Sequence, residues 1–189
     1  MDAWLTFFQE FLRHPLQVGS IVPSSRFLER RIVEAAGIHS AKSIVELGPG
    51  TGGTTRAILR AMPRDATLLT IELSPHLYGL VKRIKDPRLI AHLGNASELR
   101  EIIATHGLGS PDAVISGIPF STMGDSIGCH ILEEIYSALG PGGRFVAYQV
   151  KRRVATLSQL FPEPEAAEME LLNIPPLRIF RWEKDGVRL

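Results

Sequence analysis

The sequence predicts an α/β fold: a doubly wound, mostly parallel sheet with helices on both faces. Three observations predict it. From about residue 40 onward, short apolar runs alternate with helix-periodic segments. The runs are continuously apolar, as strands buried on both faces must be. The first of them empties into Gly48, Gly50, Gly52 and Gly53, directly ahead of a helical pattern. A chain of 189 residues suits one domain, 1–189, with a cap over 1–38 and a core over 40–189.

The elements follow in order. Residues 3 to 13 are helix-periodic: Trp4, Leu5, Phe8, Phe11 and Leu12 share a face that Phe7 widens, and Pro15 ends it. The loop "VGSIVPSS" follows, and Ser24 or Ser25 caps a second helix running to about Ala36, closed by Gly37. Strands are expected in "KSIVEL", "ATLLTIEL", "RLIAHLG", "DAVISGI" and "GRFVAYQV". Helices are expected in "TTRAILRAM", "PHLYGLVKRI", "ASELREIIATHG" and "SIGCHILEEIYSAL". The tail breaks the alternation. "AEMELLNI" and "LRIFRWEKDG" have no helix between them, so they pair as an antiparallel ribbon at the end of the sheet.

Composition excludes several classes. The 21 basic and 20 acidic residues nearly cancel, so no net field draws the chain to nucleic acid. The single cysteine, Cys129, rules out an intrachain disulfide and a cysteine zinc cluster, and the histidines lack metal-ligand spacing, so no metal is expected. No apolar run approaches the ~18 residues of a spanning helix. "MDAWLTFFQEFLRHP" has neither a basic leader nor a small-residue cleavage site, and a cytoplasmic location is expected.

The glycine run carries the chemistry. Glycine permits positive φ and close backbone approach. The helix behind it offers free N–H groups to a polar or anionic ligand. This is a nucleotide-type cofactor loop. Gly48, Gly50 and Gly53 also satisfy the dinucleotide pattern G-x-G-x-x-G, with Glu72 ending the next strand where an acid grips ribose hydroxyls. Against a nicotinamide cofactor stand Glu46, at a position usually apolar in that fold, and the lack of room for a separate catalytic domain.

"VELGPGTG" resembles the first motif of the class I S-adenosylmethionine (SAM)-dependent methyltransferases, and later signposts arrive in that family's order. The resemblance implies a Rossmann-like, seven-stranded sheet with an antiparallel last strand, and SAM as cofactor. It implies that Glu46 faces the cofactor's positive methionine end and that Gly48, Gly50, Thr51 and Gly52 form the close-approach turn. Glu72, followed by Leu73, would hold the ribose hydroxyls. In "GNAS", Asn95 and Ala96 would frame the adenine. "DAVISGIPF" matches the strand and turn facing the substrate, with Ser116 bordering both ligands.

The turn Ser116, Gly117, Ile118, Pro119, Phe120 is similar to the "N-I/L-P-Y" turn of adenine N6-dimethyltransferases, with Gly117 at the amide position and Phe120 for tyrosine. A closer similarity is to bacterial phospholipid N-methyltransferases. Val18–Ser25, Glu46–Gly52, Ser116–Pro119 and Asn173–Pro176 all match that pattern. One departure is "AYQVKRR", where an aromatic-rich strand is expected and Tyr148 takes the aromatic role.

The resemblance implies methyl transfer to a phosphatidylethanolamine-type amine. Tyr148 and the carbonyls of Gly117–Pro119 would orient that amine, and Phe120 would shape its pocket. An RNA adenine or another amine-bearing lipid is the alternative substrate. The expected partners are the phospholipid substrate and an anionic membrane surface, with peripheral membrane association and no nucleic acid. The aromatic N-terminal face either packs on the domain's own core or lies in the bilayer interface. Lys151, Arg152 and Arg153 would add attraction to anionic lipid.

Overall fold

The computed structural model describes residues 26–149, 153–157, 160, 161, 164, 166–170 and 177–185. The expected helix over 3–13, the Val18–Ser25 segment, Lys151, Arg152 and Asn173–Pro176 lie outside the described residues.

Helix α1, Arg26–Ala35, ends as expected at Gly37, whose φ of 64° suits glycine. Then come β1 Ser43–Leu47, α2 Gly53–Ala61, β2 Thr67–Glu72, α3 Pro75–Val81 and β3 Leu89–Leu93. A 3₁₀ turn at Ala96–Glu98 leads into α4 Leu99–Thr105, followed by β4 Ala113–Ser116 and a second 3₁₀ turn at Phe120–Thr122. The chain continues through α5 Asp125–Ala138, β5 Arg144–Gln149, α6 Arg153–Leu157, β6 Ala166–Glu170 and β7 Leu177–Glu183.

All the strands join one sheet in the order β3-β2-β1-β4-β5-β7-β6. The pairings from β3 through β5 are parallel, and β7 runs antiparallel to both β5 and β6. The tail ribbon is therefore inserted backwards: its second strand, β7, meets the parallel sheet, and β6 takes the edge.

Strand alternation sorts the core into two layers. Val45, Leu47, Leu69, Val114 and Phe145 face α4 and α5. Ile44, Leu68, Ile115 and Val146 face α1 and α2, with Leu28, Ile32 and Ile58 behind them. β3, at one edge, is only partly buried.

Loose backbone ends are tied by side chains. The Arg88 guanidinium donates to the carbonyls of Leu59, Met62 and Pro63 at the end of α2. Lys184 Nζ donates to those of Tyr136 and Leu139 at the end of α5. Asp112 accepts from the N–H groups of Lys42 and Ser43, pinning the entry to β1 beside β4.

One consequence positions the site. β1 lies between β2 and β4, so the chain winds away in both directions from the β1/β4 boundary. At such a switch point the connections leave a crevice beyond the carboxyl ends of the strands. Among the described residues, no helix is long and apolar enough to cross a membrane.

Candidate cofactor cleft and active site

The crevice is built from the loops that leave β1, β2, β3 and β4. After Leu47 the backbone turns through Gly48, Gly50 and Gly52 with φ of 70°, 58° and 82°. Side chains rarely adopt this left-handed region, so the spacing of the glycines is the shape of the turn. Added carbon at Gly50 would meet nothing within 4 Å, which leaves that backbone open to a ligand. At Gly48 it would meet Ile118 at 3.3 Å.

Glu46 ends the apolar run underneath. It is fully buried, and burial pushes its carboxyl up to about 8. Thr55 Oγ1 donates to Glu46 Oε2 at 2.6 Å, whereas Oε1 is buried without a hydrogen-bond partner among the described residues. A buried acceptor left open in this way is costly unless a ligand or water completes it.

Glu72, at the end of β2, is also buried, and its carboxyl is raised chiefly by burial. It accepts from the Gly50 N–H at 3.2 Å and the Ser74 N–H at 2.9 Å. This carboxylate therefore clamps the glycine turn to the second loop. Glu72 also acts on Glu46 through space, raising it further. The cleft presents two acids held in low dielectric, an arrangement that favours a cationic ligand.

A small hollow opens beside Glu72, lined by Gly48, Glu72, Leu73, Asn95 and Ala96 together with Ile118. Five of the expected cofactor residues, from three separate loops, thus meet around it. Asn95 caps the 3₁₀ turn behind it, accepting from the Ser97 N–H at 3.1 Å. Thr51 is exposed on the rim, and its carbonyl accepts from Arg56.

The substrate turn is adjacent. The Gly117 N–H donates to the Leu47 carbonyl at 2.9 Å, so this turn and the glycine loop leave the sheet side by side. Carbon added at Gly117 would overlap Tyr148 Oη and lie 2.9 Å from the Gly48 carbonyl. The tyrosine hydroxyl occupies the room that a side chain at 117 would need. This explains why glycine stands where the related turn carries an amide. Burial, with the Glu46 charge adding to it, pushes the Tyr148 phenol well above its usual range, so it stays protonated. Gly117→Ala is expected to displace the Tyr148 ring, visible as changed tyrosine fluorescence and lost transfer. Unchanged behaviour would show that the ring is not held there.

Ser116 stays at the head of the turn, whereas Phe120 sits elsewhere than the sequence suggests. Ser116 is fully buried, and its Oγ accepts from the Ile118 N–H at 3.3 Å. Phe120 is fully buried in the α5-side core, near Gly128, rather than presented at the cleft. The reason is packing: the Phe120–Thr122 turn folds back onto α5, and an apolar ring fills that space.

Several contributors carry no motif. Thr55 serves Glu46, Ile71 and Ile131 wall the cavity, and Gln149 Nε2 donates to the Ile118 carbonyl at 2.5 Å. Paired threonines opening the helix after a glycine turn were the available signal for Thr55; Ile131 had none.

No family model matches the chain. The ornithine lipid N-methyltransferase of Singulisphaera acidiphila is 26% identical over 147 residues, 77% of this chain and 77% of that protein. The ribosomal RNA small subunit methyltransferase A of Nocardia farcinica is 30% identical over 139 residues, 71% of this chain, and the match spans only 44% of that relative's length. Among solved structures, the O-methyltransferase TomG of Streptomyces achromogenes, in complex with SAM, aligns with a TM-score of 0.69. That alignment covers 98% of this chain and 91% of TomG at 15% identity. Sheet order, glycine turn and solved relatives agree: this chain has the class I SAM-dependent methyltransferase fold.

Proposed function

We propose that the chain is a SAM-dependent N-methyltransferase acting on the amine head group of a phospholipid of the phosphatidylethanolamine type. The observation that carries the cofactor is the buried Glu46 Oε1, unpartnered among the described residues, with an open Gly50 backbone in the turn that follows. A cationic methionine end suits that acceptor, and Glu72 at the cavity wall suits a ribose diol. Gly48, Leu73, Asn95 and Ala96 line the remaining space for an adenosine. Bound SAM supplies a methyl group on a sulfonium, and the protein's part is to hold a neutral amine in line with it.

The substrate class is supported by the ornithine lipid N-methyltransferase likeness, which runs over 77% of both chains. The N-terminal sequence, with Trp4, Phe7, Phe8 and Phe11, supplies interfacial anchoring in this reading, and the enzyme works peripherally on an anionic membrane. An RNA adenine is the second reading, favoured by the 30% identity to a ribosomal RNA methyltransferase.

Purified protein, methyl-labelled SAM and liposomes containing phosphatidylethanolamine, with and without anionic lipid, decide between them. Label is expected in the organic phase, at the chromatographic position of methylated phosphatidylethanolamine, and more of it with anionic lipid present. Label only in structured RNA would overturn the lipid reading in favour of the second.

A further inference from the structure

Three backbone carbonyls of the substrate turn could hold a target amine, and the structure separates them. The Ile118 carbonyl accepts from the Phe120 N–H at 2.9 Å and from Gln149 Nε2 at 2.5 Å. The Pro119 carbonyl accepts from the Thr122 N–H at 3.0 Å and from Thr122 Oγ1 at 2.8 Å. A carbonyl oxygen has two lone pairs, so both of these are saturated. The Gly117 carbonyl has no donor among the described residues.

The register explains why. β1 and β4 pair in parallel, and the Gly117 N–H extends their ladder by donating to Leu47. In a parallel ladder, a residue that donates to one neighbour receives from the N–H two positions further along that strand. For Gly117 that position is 49. Residue 49 is proline, which has no N–H. The pairing ends at Leu47 and Ser116, Gly48 turns the chain out of the strand with φ of 70°, and Pro49 has no N–H to offer, so β1 sends no rung to this carbonyl. Gly117 itself is only partly buried.

Resting on the amine-methylation reading above, we propose that the Gly117 carbonyl is the hydrogen-bond acceptor that holds the target amine, and that Pro49 keeps it free. Saturation of Ile118 and Pro119 makes the turn rigid, and the missing rung makes it selective. An amine N–H donated to Gly117 turns the nitrogen lone pair toward the cofactor cleft. In the transfer, the N–C bond forms, the S–C bond breaks with its pair returning to sulfur, and the N–H proton leaves to water. A peptide carbonyl orients that proton and does not take it.

The test labels the protein with [1-¹³C]glycine and [¹⁵N]isoleucine. Gly–Ile occurs only at Gly37–Ile38 and Gly117–Ile118, so a carbonyl-to-amide spectrum has two peaks, and Ile38→Val identifies the first by its loss. With S-adenosylhomocysteine present, short-chain phosphatidylethanolamine is expected to move the Gly117 carbonyl downfield and leave Gly37 in place. Short-chain phosphatidylcholine, which has no N–H, is expected to move neither. In Pro49→Ala, the restored N–H is expected to shift the Gly117 carbonyl before lipid is added. Turnover then falls by roughly tenfold or more with S-adenosylhomocysteine affinity retained, as for loss of a hydrogen bond that positions the reactant. Transfer to lipid by the unmodified chain without a Gly117 shift would overturn the acceptor and leave the N-methyltransferase reading standing. A Pro49→Ala variant with its new N–H bonded and full turnover would do the same. No transfer to lipid by the unmodified chain would remove both.

Discussion

Replacing Glu46 by glutamine is expected to weaken SAM binding by roughly tenfold or more at pH 8, read by calorimetry. Glutamine keeps an oxygen for Thr55 and removes the charge. The pH dependence carries the sharper signature. In the ligand-free fold, burial raises the Glu46 carboxyl from its usual 4.5 to about 8. Below that value the site is protonated, and a cationic ligand must expel the proton to bind. Wild-type affinity therefore rises as pH approaches about 8, by about tenfold per pH unit, and then levels off. The variant lacks this component, so the difference between the two curves isolates Glu46 from any titration of SAM itself. Parallel curves of equal height would remove Glu46 from the cofactor site.

The same shift acts on stability with the opposite sense. The folded-state value lies above the unfolded one, so the native state binds the proton more tightly. The ligand-free fold is favoured by this group at low pH, and that stability is lost as pH rises from about 4.5 through about 8. Glu46→Gln is expected to flatten the fall in melting temperature over that window. Glu46 thus works against the ligand-free fold as pH rises, a common arrangement at functional sites.

Glu72→Ala is expected to cost more than a lost ligand contact. The carboxylate accepts from both Gly50 and Ser74, so its removal releases the glycine turn as well as the ligand. SAM affinity should fall by roughly tenfold or more, as for loss of a charge-assisted bidentate contact. Amide exchange at residues 48–53 should also accelerate in the ligand-free protein. Unchanged affinity would remove Glu72 from the cofactor map. Lost affinity with unchanged exchange would confine its role to the ligand and show that the turn holds itself.

Much of this architecture was legible in order along the chain. "SIVEL" followed by glycines predicts the β1 turn, because no other residue takes three positive φ values in five positions so cheaply. Continuous apolar runs separated by helical periods require buried parallel strands, and the helix-free tail requires an antiparallel partner. Glu46, Glu72, Asn95 and Ala96 were singled out by motif resemblance, and the structure sets Glu72, Asn95 and Ala96 around one hollow.

Other features needed the fold. The inversion that puts β7 between β5 and β6 depends on which tail strand packs against β5, where Phe145 and Trp182 stack with ring centroids 5.0 Å apart. The inward turn of Phe120, the Gln149 bond to Ile118 and the Ile131 wall arise between segments far apart in sequence. Gly117 gives the clearest division. The sequence by itself determined that the turn lacks an amide and that residue 49 lacks an N–H. Only the tertiary structure decided that Tyr148 fills the first space and that residue 49 follows the turn beside Gly117. Local sequence specifies backbone chemistry and periodicity, whereas which groups meet depends on strand register and packing, which no short stretch encodes.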